Sequence, residues 1–541
     1  MIGVRIEELD ANRLHLDERI AHRRHGIGGT RRNPRGHRFV IHRDPGDARK
    51  FEDGLCRQSL RIHAAILRRD ADGGNCRRCT LPRMNEPLTR SDVIVIGAGL
   101  SGLEAALTLE ENGLRVTLLE GRTRVGGRLY SLDLPGNPEV GGNTVSTAYG
   151  RVIAAGRRYG VPLDDQSPRY DAFPDTQELF LQGERIELQT WAEHPRNPFE
   201  GAARKLTPAA WGRSIIRRHP PFADLENWHD PRHADQDVSV YQYLKSVGAS
   251  DAAIALGYET NIPYGVTAHD VSLLQLAFVE HWSNINRRNA GANDRFIGVF
   301  RGGNQNLPRA MARRVRGDLL LGQRVAAIDL DADGVTARCA DGSRHRARAL
   351  VCSAPFPVLR SIAIDPLPPR AQWRAIQTLG AKPITQFHLL PKREFWRDDG
   401  RSPALWSDGL VGSVLVNRDP ADAARVTSLT VWCSGETARV LDRYPHAEAA
   451  KLVIAEYEKL RPAARGALTV GAVHSWEQDP YAGGTWAIFK PGQVRDFARL
   501  MSAPHGRMFF CGEHTAIGAR GMEAAMESAE RVALEVLAAL G

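Results

Sequence analysis

The chain has 541 residues, 42% of them hydrophobic, which is enough for a large core and two or three domains. No run of eighteen apolar residues occurs, which argues against a transmembrane helix, and seven cysteines without framework spacing argue against a disulfide-stapled secreted fold. The formal charge of +9 suggests nucleic acid, but its distribution excludes that partner for the main body.

Residues 1 to 83 hold 18 Arg and 1 Lys against 11 acidic residues, a net of +8, and the remainder is nearly neutral at +1. This segment has two aromatic residues, Phe39 and Phe51, and no Trp or Tyr. Such a stretch buries too little apolar surface to offset its ordering entropy. It is expected to be a disordered extension, compatible with an upstream stretch read from the wrong start codon. Met84 is the first methionine after Met1. The twin arginines at 23–24 and 31–32 have no apolar stretch behind them, so neither a Tat nor a secretory signal is read and the expected location is cytoplasmic. The CxxC of Cys76 and Cys79 has no second pair or His partner nearby and is read as chance.

From Asp92 the texture changes. Asp92–Ile96 is a short apolar run, β-branched except for its Asp, read as a buried parallel strand. Leu100 to Asn112 places Leu103, Ala106 and Leu107 on one helical face, and Val116 to Leu119 is a second strand. Together they make a βαβ unit. Between strand and helix stands Gly97-Ala98-Gly99-Leu100-Ser101-Gly102. The first glycine allows a tight turn, the second lets backbone approach a pyrophosphate, and the third lets helix and strand pack closely. The helix N-terminus, with Leu100 and Ser101, stabilises the phosphate charge. Glu120 closes the second strand, where it can accept hydrogen bonds from ribose hydroxyls. Val325 to Cys352 reads as a strand-rich meander with Asp and Gly turns, and its Asp331–Gly334 turn fails the spacing of a calcium loop. No metal site is predicted. Glu523 to Leu540 reads as an amphipathic helix.

The residues that follow Glu120 separate FAD from NAD. Gly121-Arg122-Thr123-Arg124-Val125-Gly126-Gly127-Arg128 resembles the GG doublet of the flavin-containing amine oxidase family. There the glycines and the arginine approach the flavin pyrophosphate, and Arg128 can neutralise its charge. Four more segments match that family in order. Glu139-Val140-Gly141-Gly142 resembles its second glycine pair near the flavin ring, followed here by Asn143 and Thr144. Arg301 to Pro308 resembles its central glycine element, after which Val325 falls where the family contacts adenine. His474 to Trp486, with Trp476 inside it, resembles its Trp-Pro-Gly-Gly stretch. Phe509 to Thr515 with Gly521-Met522-Glu523 resembles its flavin-closing element, in which an acidic residue after Gly512, here Glu513, binds ribityl or ribose hydroxyls. The helix that follows points its N–H groups at the flavin pyrimidine. Ala524 and Ala529 depart from the family, where glycines are more common.

The resemblance implies an α/β flavoprotein of two domains: a Rossmann-like FAD-binding domain of the GR2 type and an α+β substrate-binding domain. Residues 90–170, 295–365 and 478–541 are assigned to the first, and 171–294 and 366–477 to the second. A sheet of the second domain is expected to roof the flavin. The implied reaction is oxidative deamination: a small-molecule amine passes hydride to flavin N5, the imine is released, and O2 reoxidises the flavin to give peroxide. Lys382 resembles the family lysine that holds a water near N5, at a somewhat longer distance from Phe395-Trp396 than is usual. Trp486 resembles one wall of the aromatic cage that holds the amine. In the monoamine oxidases a tyrosine supplies the second wall, and here that position is Gly521, so a half-built cage is expected. Thr485 stands where the covalent enzymes have a cysteine, so FAD is expected to be non-covalent. No nucleic acid or membrane partner is expected, and a homodimer is left open. An L-amino-acid oxidase, which would need a chamber arginine, and a desaturase or porphyrinogen oxidase on the same scaffold remain alternatives. So does a non-catalytic binding protein.

Overall fold

A computed structural model describes residues 89–167, 176–220, 222–289 and 296–541. The basic segment 1–83, with its expected disorder and its CxxC, lies outside the described residues, as does Met84. All elements below belong to the one unit that holds Thr89–Gly541.

A five-stranded sheet is parallel throughout. Its order is Asp318–Leu321, Val116–Glu120, Val93–Ile96, Ala349–Cys352, Met508–Phe510. Val93–Ile96 is buried along its whole length, as a strand covered on both faces must be. Val93 and Val95 face helices Leu100–Glu111 and Gly521–Leu540 through Leu103, Ala106, Val532 and Val536. Ile94 and Ile96 face the opposite way, toward Val325, Ile328, Val335 and Ala337. Each such buried side chain contributes about 1.5–3 kcal/mol. The chain leaves Val93–Ile96 to one side for Val116–Glu120 and later returns on the other side at Ala349–Cys352. That reversal opens a crevice at the carboxyl end of the central strand, where Gly97 lies and where ligands bind such sheets.

The meander expected over Val325 to Cys352 divides between two sheets. Val325–Leu330, Val335–Cys339 and Arg344–Ala347 pair antiparallel in a separate sheet, whereas Ala349–Cys352 joins the parallel one. Asp331 accepts the main-chain N–H groups of Asp333 and Gly334 at 2.9 Å, so its carboxylate builds the turn. The last helix begins at Gly521, two residues before the amphipathic pattern starts.

A seven-stranded sheet runs in the order Leu468–Ser475, Ile384–Pro391, Val426–Ser434, Ser413–Arg418, Leu405–Ser407, Glu178–Leu181, Glu184–Ile186. Alternation decides its two faces. Phe387, Leu389, Leu429 and Val431 pack on helix His446–Leu460 through Val453, Tyr457 and Leu460. Ile384 and Trp432 face the other way, toward Trp476, Val140 and Leu132. Among the described residues no helix is long and apolar enough to cross a membrane.

Candidate active site

One cavity of about 430 Å³ collects most of the residues that the sequence singles out. Its wall includes Gly97, Gly99, Leu100 and Ser101 from the first turn and Glu120, Gly121 and Arg122 from the end of the second strand. Gly126, Gly127, Arg128, Gly141, Gly142, Asn143 and Thr144 follow, with Val325, Trp476, Trp486, Gly512, Glu513, Gly521 and Met522. Two of the expected residues, Gly102 and Lys382, stand behind the wall.

The first turn is shaped by backbone. Gly97 has φ +96°, and a Cβ there would lie 2.5 Å from the Ser353 hydroxyl. At Gly102 a Cβ would lie 1.9 Å from the Gly97 carbonyl, so its place is in the helix–strand contact, not on the cavity. Helix Leu100–Glu111 starts at Gly99 with no side-chain cap. Its first N–H groups therefore remain available to a ligand anion. Helix Gly521–Leu540 also starts uncapped on the same cavity.

Glu120 is buried, and burial raises its pKa. Its carboxylate accepts the N–H of Ala98 at 2.7 Å and of Arg122 at 2.8 Å, which ties the turn to the second strand. Arg122 donates to Asp479 at 2.8 Å, and its Nη2 is buried without a partner. Arg128 reaches the Thr485 carbonyl and the Glu513 carboxylate, the latter at 3.2 Å. Glu139, pushed up to about 8 by burial, accepts from Ser131 Oγ at 2.9 Å and from the N–H of Asn304 at 2.6 Å. Asn304 Nδ2 in turn donates to the Gly142 and Asn143 carbonyls. The second glycine pair and the central glycine element are thus clamped together. Trp476 is buried and donates Nε1–H to the Val140 carbonyl at 3.1 Å.

These features fit a dinucleotide such as FAD. The uncapped helix start and the unpartnered Arg122 Nη2 are donors awaiting oxygens, and the close glycines leave backbone accessible. Arg122, Arg128 and the helix N-terminus would hold a pyrophosphate, and Glu120 would face a ribose.

Lys382 is 4% exposed and lies in the segment between Gly380–Ala381 and Ile384–Pro391. Its Nζ donates to the Pro263 carbonyl at 2.8 Å and sits 5.6 Å from the Trp486 ring centre. Burial, reinforced by the positive charge of Arg520, lowers its pKa to about 7. Two tyrosines stand near the side expected to be open at Gly521. The Tyr149 hydroxyl lies 3.3 Å from where a Cβ on Gly521 would be, and Tyr264 stands 6.0 Å from the Trp486 ring, tilted by 47°. Sequence reasoning missed Tyr149, Tyr264 and Arg520. For Arg520, adjacency to Gly521 was the available signal, whereas no local pattern marks either tyrosine.

Residues 100–537 match the family model described as flavin containing amine oxidoreductase. A flavin-containing amine oxidase of Danio rerio is 24% identical over 472 residues, covering 83% of this chain and 86% of its own. The flavin-containing amine oxidase B of Homo sapiens is 24% identical over 480 residues, covering 84% and 87%. Among solved structures, a putrescine oxidase bound to putrescine gives a TM-score of 0.64 at 22% identity, covering 84% of this chain and 100% of that one. A cyclohexylamine oxidase from Brevibacterium oxydans gives 0.65 at 20% identity, covering 83% and 99%.

Proposed function

The chain belongs to the flavin containing amine oxidoreductases, with FAD as cofactor and amine oxidation as its reaction, and we propose that the amine is oxidised against Trp486 in the cavity described above. FAD, when bound, would supply the two-electron acceptor for hydride from the amine's α-carbon, with O2 as the onward oxidant. The protein's part is to bind, orient and manage protons.

Gly97, Gly99 and the first turn of helix Leu100–Glu111 carry the pyrophosphate, helped by Arg122 and Arg128. Glu120 takes the adenosine ribose and Glu513 the ribityl side. The Trp486 face positions the amine through its quadrupole. Lys382, with a pKa of about 7, would exchange a proton near neutrality and hold a water toward the bound flavin. Trp432, from the seven-stranded sheet, also lines the cavity, as a sheet roofing the flavin would require.

The domain boundaries are assigned as 90–170, 295–365 and 478–541 for the cofactor domain and 171–294 and 366–477 for the substrate domain. In support, every strand of the parallel sheet falls in the first set and every strand of the seven-stranded sheet in the second.

The observation that carries this reading is one cavity whose wall holds both the phosphate-binding turn and Trp486, with the buried Lys382 amine directly behind that indole. The test mixes the purified holoenzyme anaerobically with a panel of amines and amino acids. Bleaching of the flavin, followed by stoichiometric peroxide when air is admitted, is expected for at least one. A flavin that no amine bleaches but a hydrocarbon or porphyrinogen substrate does would overturn the reading.

A further inference from the structure

The cavity wall contains a cation that FAD-dependent amine oxidation does not by itself require. Arg520 is the residue before helix Gly521–Leu540, in extended conformation at φ −137° and ψ 159°. Its side chain lines the cavity. The guanidinium lies 5.7 Å from the Tyr264 ring centre, and Tyr264 stands 6.0 Å from Trp486. Lys382 Nζ is 5.6 Å from Trp486 on its own side. Arg520 therefore belongs to the group of side chains gathered around the amine position.

No carboxylate is paired with its charge among the described residues. Among the described residues the Arg520 guanidinium makes no hydrogen bond and no ion pair, and its one ring contact is Tyr264; only its main-chain carbonyl is engaged, by the Ala524 N–H at 3.3 Å. Burial opposes its charge, and Tyr264, Tyr149 and, more weakly, the carboxylates of Glu280 and Glu513 favour it through space. Both carboxylates are already engaged: Glu280 takes Arg213 at 2.7 Å and Arg217 at 2.6 Å, and Glu513 takes Arg128 at 3.2 Å. A guanidinium removed from water without a carboxylate is costly unless something fills its fork. Five donors in a fixed plane match a carboxylate.

We propose that Arg520 is the seat of the substrate's carboxylate, so that the amine oxidised here is an amino acid. This rests on the amine-oxidation reading above and adds the substrate class to it. An amino acid would lay its carboxylate on Arg520 and its amine against Trp486. A diamine would instead bring a second cation toward the guanidinium, and a simple monoamine would leave the guanidinium unpaired. The positive charge of Arg520, which adds to burial in lowering the Lys382 pKa, also attracts an anionic ligand.

Two measurements on the holoenzyme test this. The first titrates benzoate and benzamide into wild type, Arg520→Gln and Arg520→Lys, read by the flavin difference spectrum and by calorimetry. Wild type should bind benzoate at least about thirtyfold tighter than benzamide, Arg520→Gln should abolish that preference, and Arg520→Lys should keep part of it. The second compares kcat/KM for phenylalanine, phenethylamine and 1,4-diaminobutane. The ratio of phenylalanine to phenethylamine should exceed about one hundred in wild type and collapse in Arg520→Gln. Turnover of phenethylamine or the diamine in preference to phenylalanine, with no benzoate preference, overturns the proposal and leaves amine oxidation standing. A benzoate preference that depends on Arg520, with no amine or amino acid oxidised, upholds the anion seat and sinks the oxidation reading. A change in FAD retention in Arg520→Gln without any change in benzoate preference places the guanidinium on the cofactor and also overturns the proposal.

Discussion

The main-chain N–H of Lys382 donates to the carbonyl of Trp486 at 2.9 Å, while the Lys382 amine sits 5.6 Å from the centre of the same indole. The two residues are 104 positions apart in the sequence. They are held as one unit by the short antiparallel pairing of Gly380–Ala381 with Ala487–Ile488.

Burial of this lysine makes stability depend on pH. Its folded pKa is about 7, against an ordinary value of 10.5. Between those values the unfolded chain binds the proton and the folded chain does not, so stability rises with pH across that window. Below it both states are charged and the full cost of burying the charge remains. Lys382→Met removes that cost. Thermal melting should show the variant gaining most over wild type at or below pH ~7, with the gain shrinking toward pH ~10. A gain that does not change with pH would refute the lowered pKa.

The same substitution should slow flavin reduction or reoxidation by more than about tenfold while FAD stays bound, because a proton-holding group beside the indole is lost. Stopped-flow measurement of the two half-reactions checks this. Wild-type rates in both would remove Lys382 from the catalytic assignment.

Glu120→Ala should weaken FAD binding by about 1–3 kcal/mol, since a buried ribose hydroxyl pair loses its acceptor. The carboxylate also holds the N–H groups of Ala98 and Arg122, so the phosphate turn loosens with it. The FAD dissociation constant, measured by fluorescence recovery, is the readout. An unchanged constant would remove Glu120 from the ribose.

The cofactor end of the site was legible because its chemistry is local. Gly97 to Gly102 and Glu120 lie within one βαβ unit, and Gly102 answers to the Gly97 carbonyl five residues back and Gly97 to Ser353 just past the adjacent strand. The substrate end is assembled from remote segments. Tyr149 comes from the loop before a short helix, Tyr264 follows an irregular helical turn, and Lys382 precedes a strand of the other sheet. No periodicity links such positions, so nothing in the sequence brings Tyr149 to the open side expected at Gly521. The expected meander holds for its first three strands and fails at the fourth for a related reason. Arg344–Ala347 and Ala349–Cys352 adjoin in sequence but pair with different sheets, and alternation alone does not say which partner a strand takes.

Gly99→Ala and Gly102→Ala should behave differently. A Cβ at Gly102 would lie 1.9 Å from the Gly97 carbonyl, whereas one at Gly99 would find nothing nearer than the Gly127 Cα at 4.0 Å. Gly102→Ala should therefore force helix from strand, at a cost of about 1–3 kcal/mol or more, and lower both apoprotein melting temperature and FAD content. Gly99→Ala should leave the apoprotein melt near wild type and reduce FAD affinity alone, because its methyl projects where the cofactor approaches. Equal melting temperatures for the two apoproteins would contradict the packing role of Gly102.

FAD should be held without a covalent bond. Thr485 precedes Trp486 where a thiol would be needed, and its hydroxyl donates to the Lys382 carbonyl at 3.0 Å. An alcohol so engaged is a far poorer nucleophile toward the flavin methyl group than a thiolate. The described cysteines offer no substitute. Cys339, Cys352, Cys433 and Cys511 are all buried and none lines the cavity. Cys511, which adjoins Gly512, has its thiol pushed up to about 12 by burial, so it carries almost no thiolate at neutral pH. Retention then rests on the helix N-terminus at Gly99, on Arg122 and Arg128, and on Glu120 and Glu513. Acid precipitation of the purified protein should leave the yellow colour in the supernatant with the spectrum of free FAD. A yellow pellet that survives denaturation would show a covalent link and overturn this reading of Thr485.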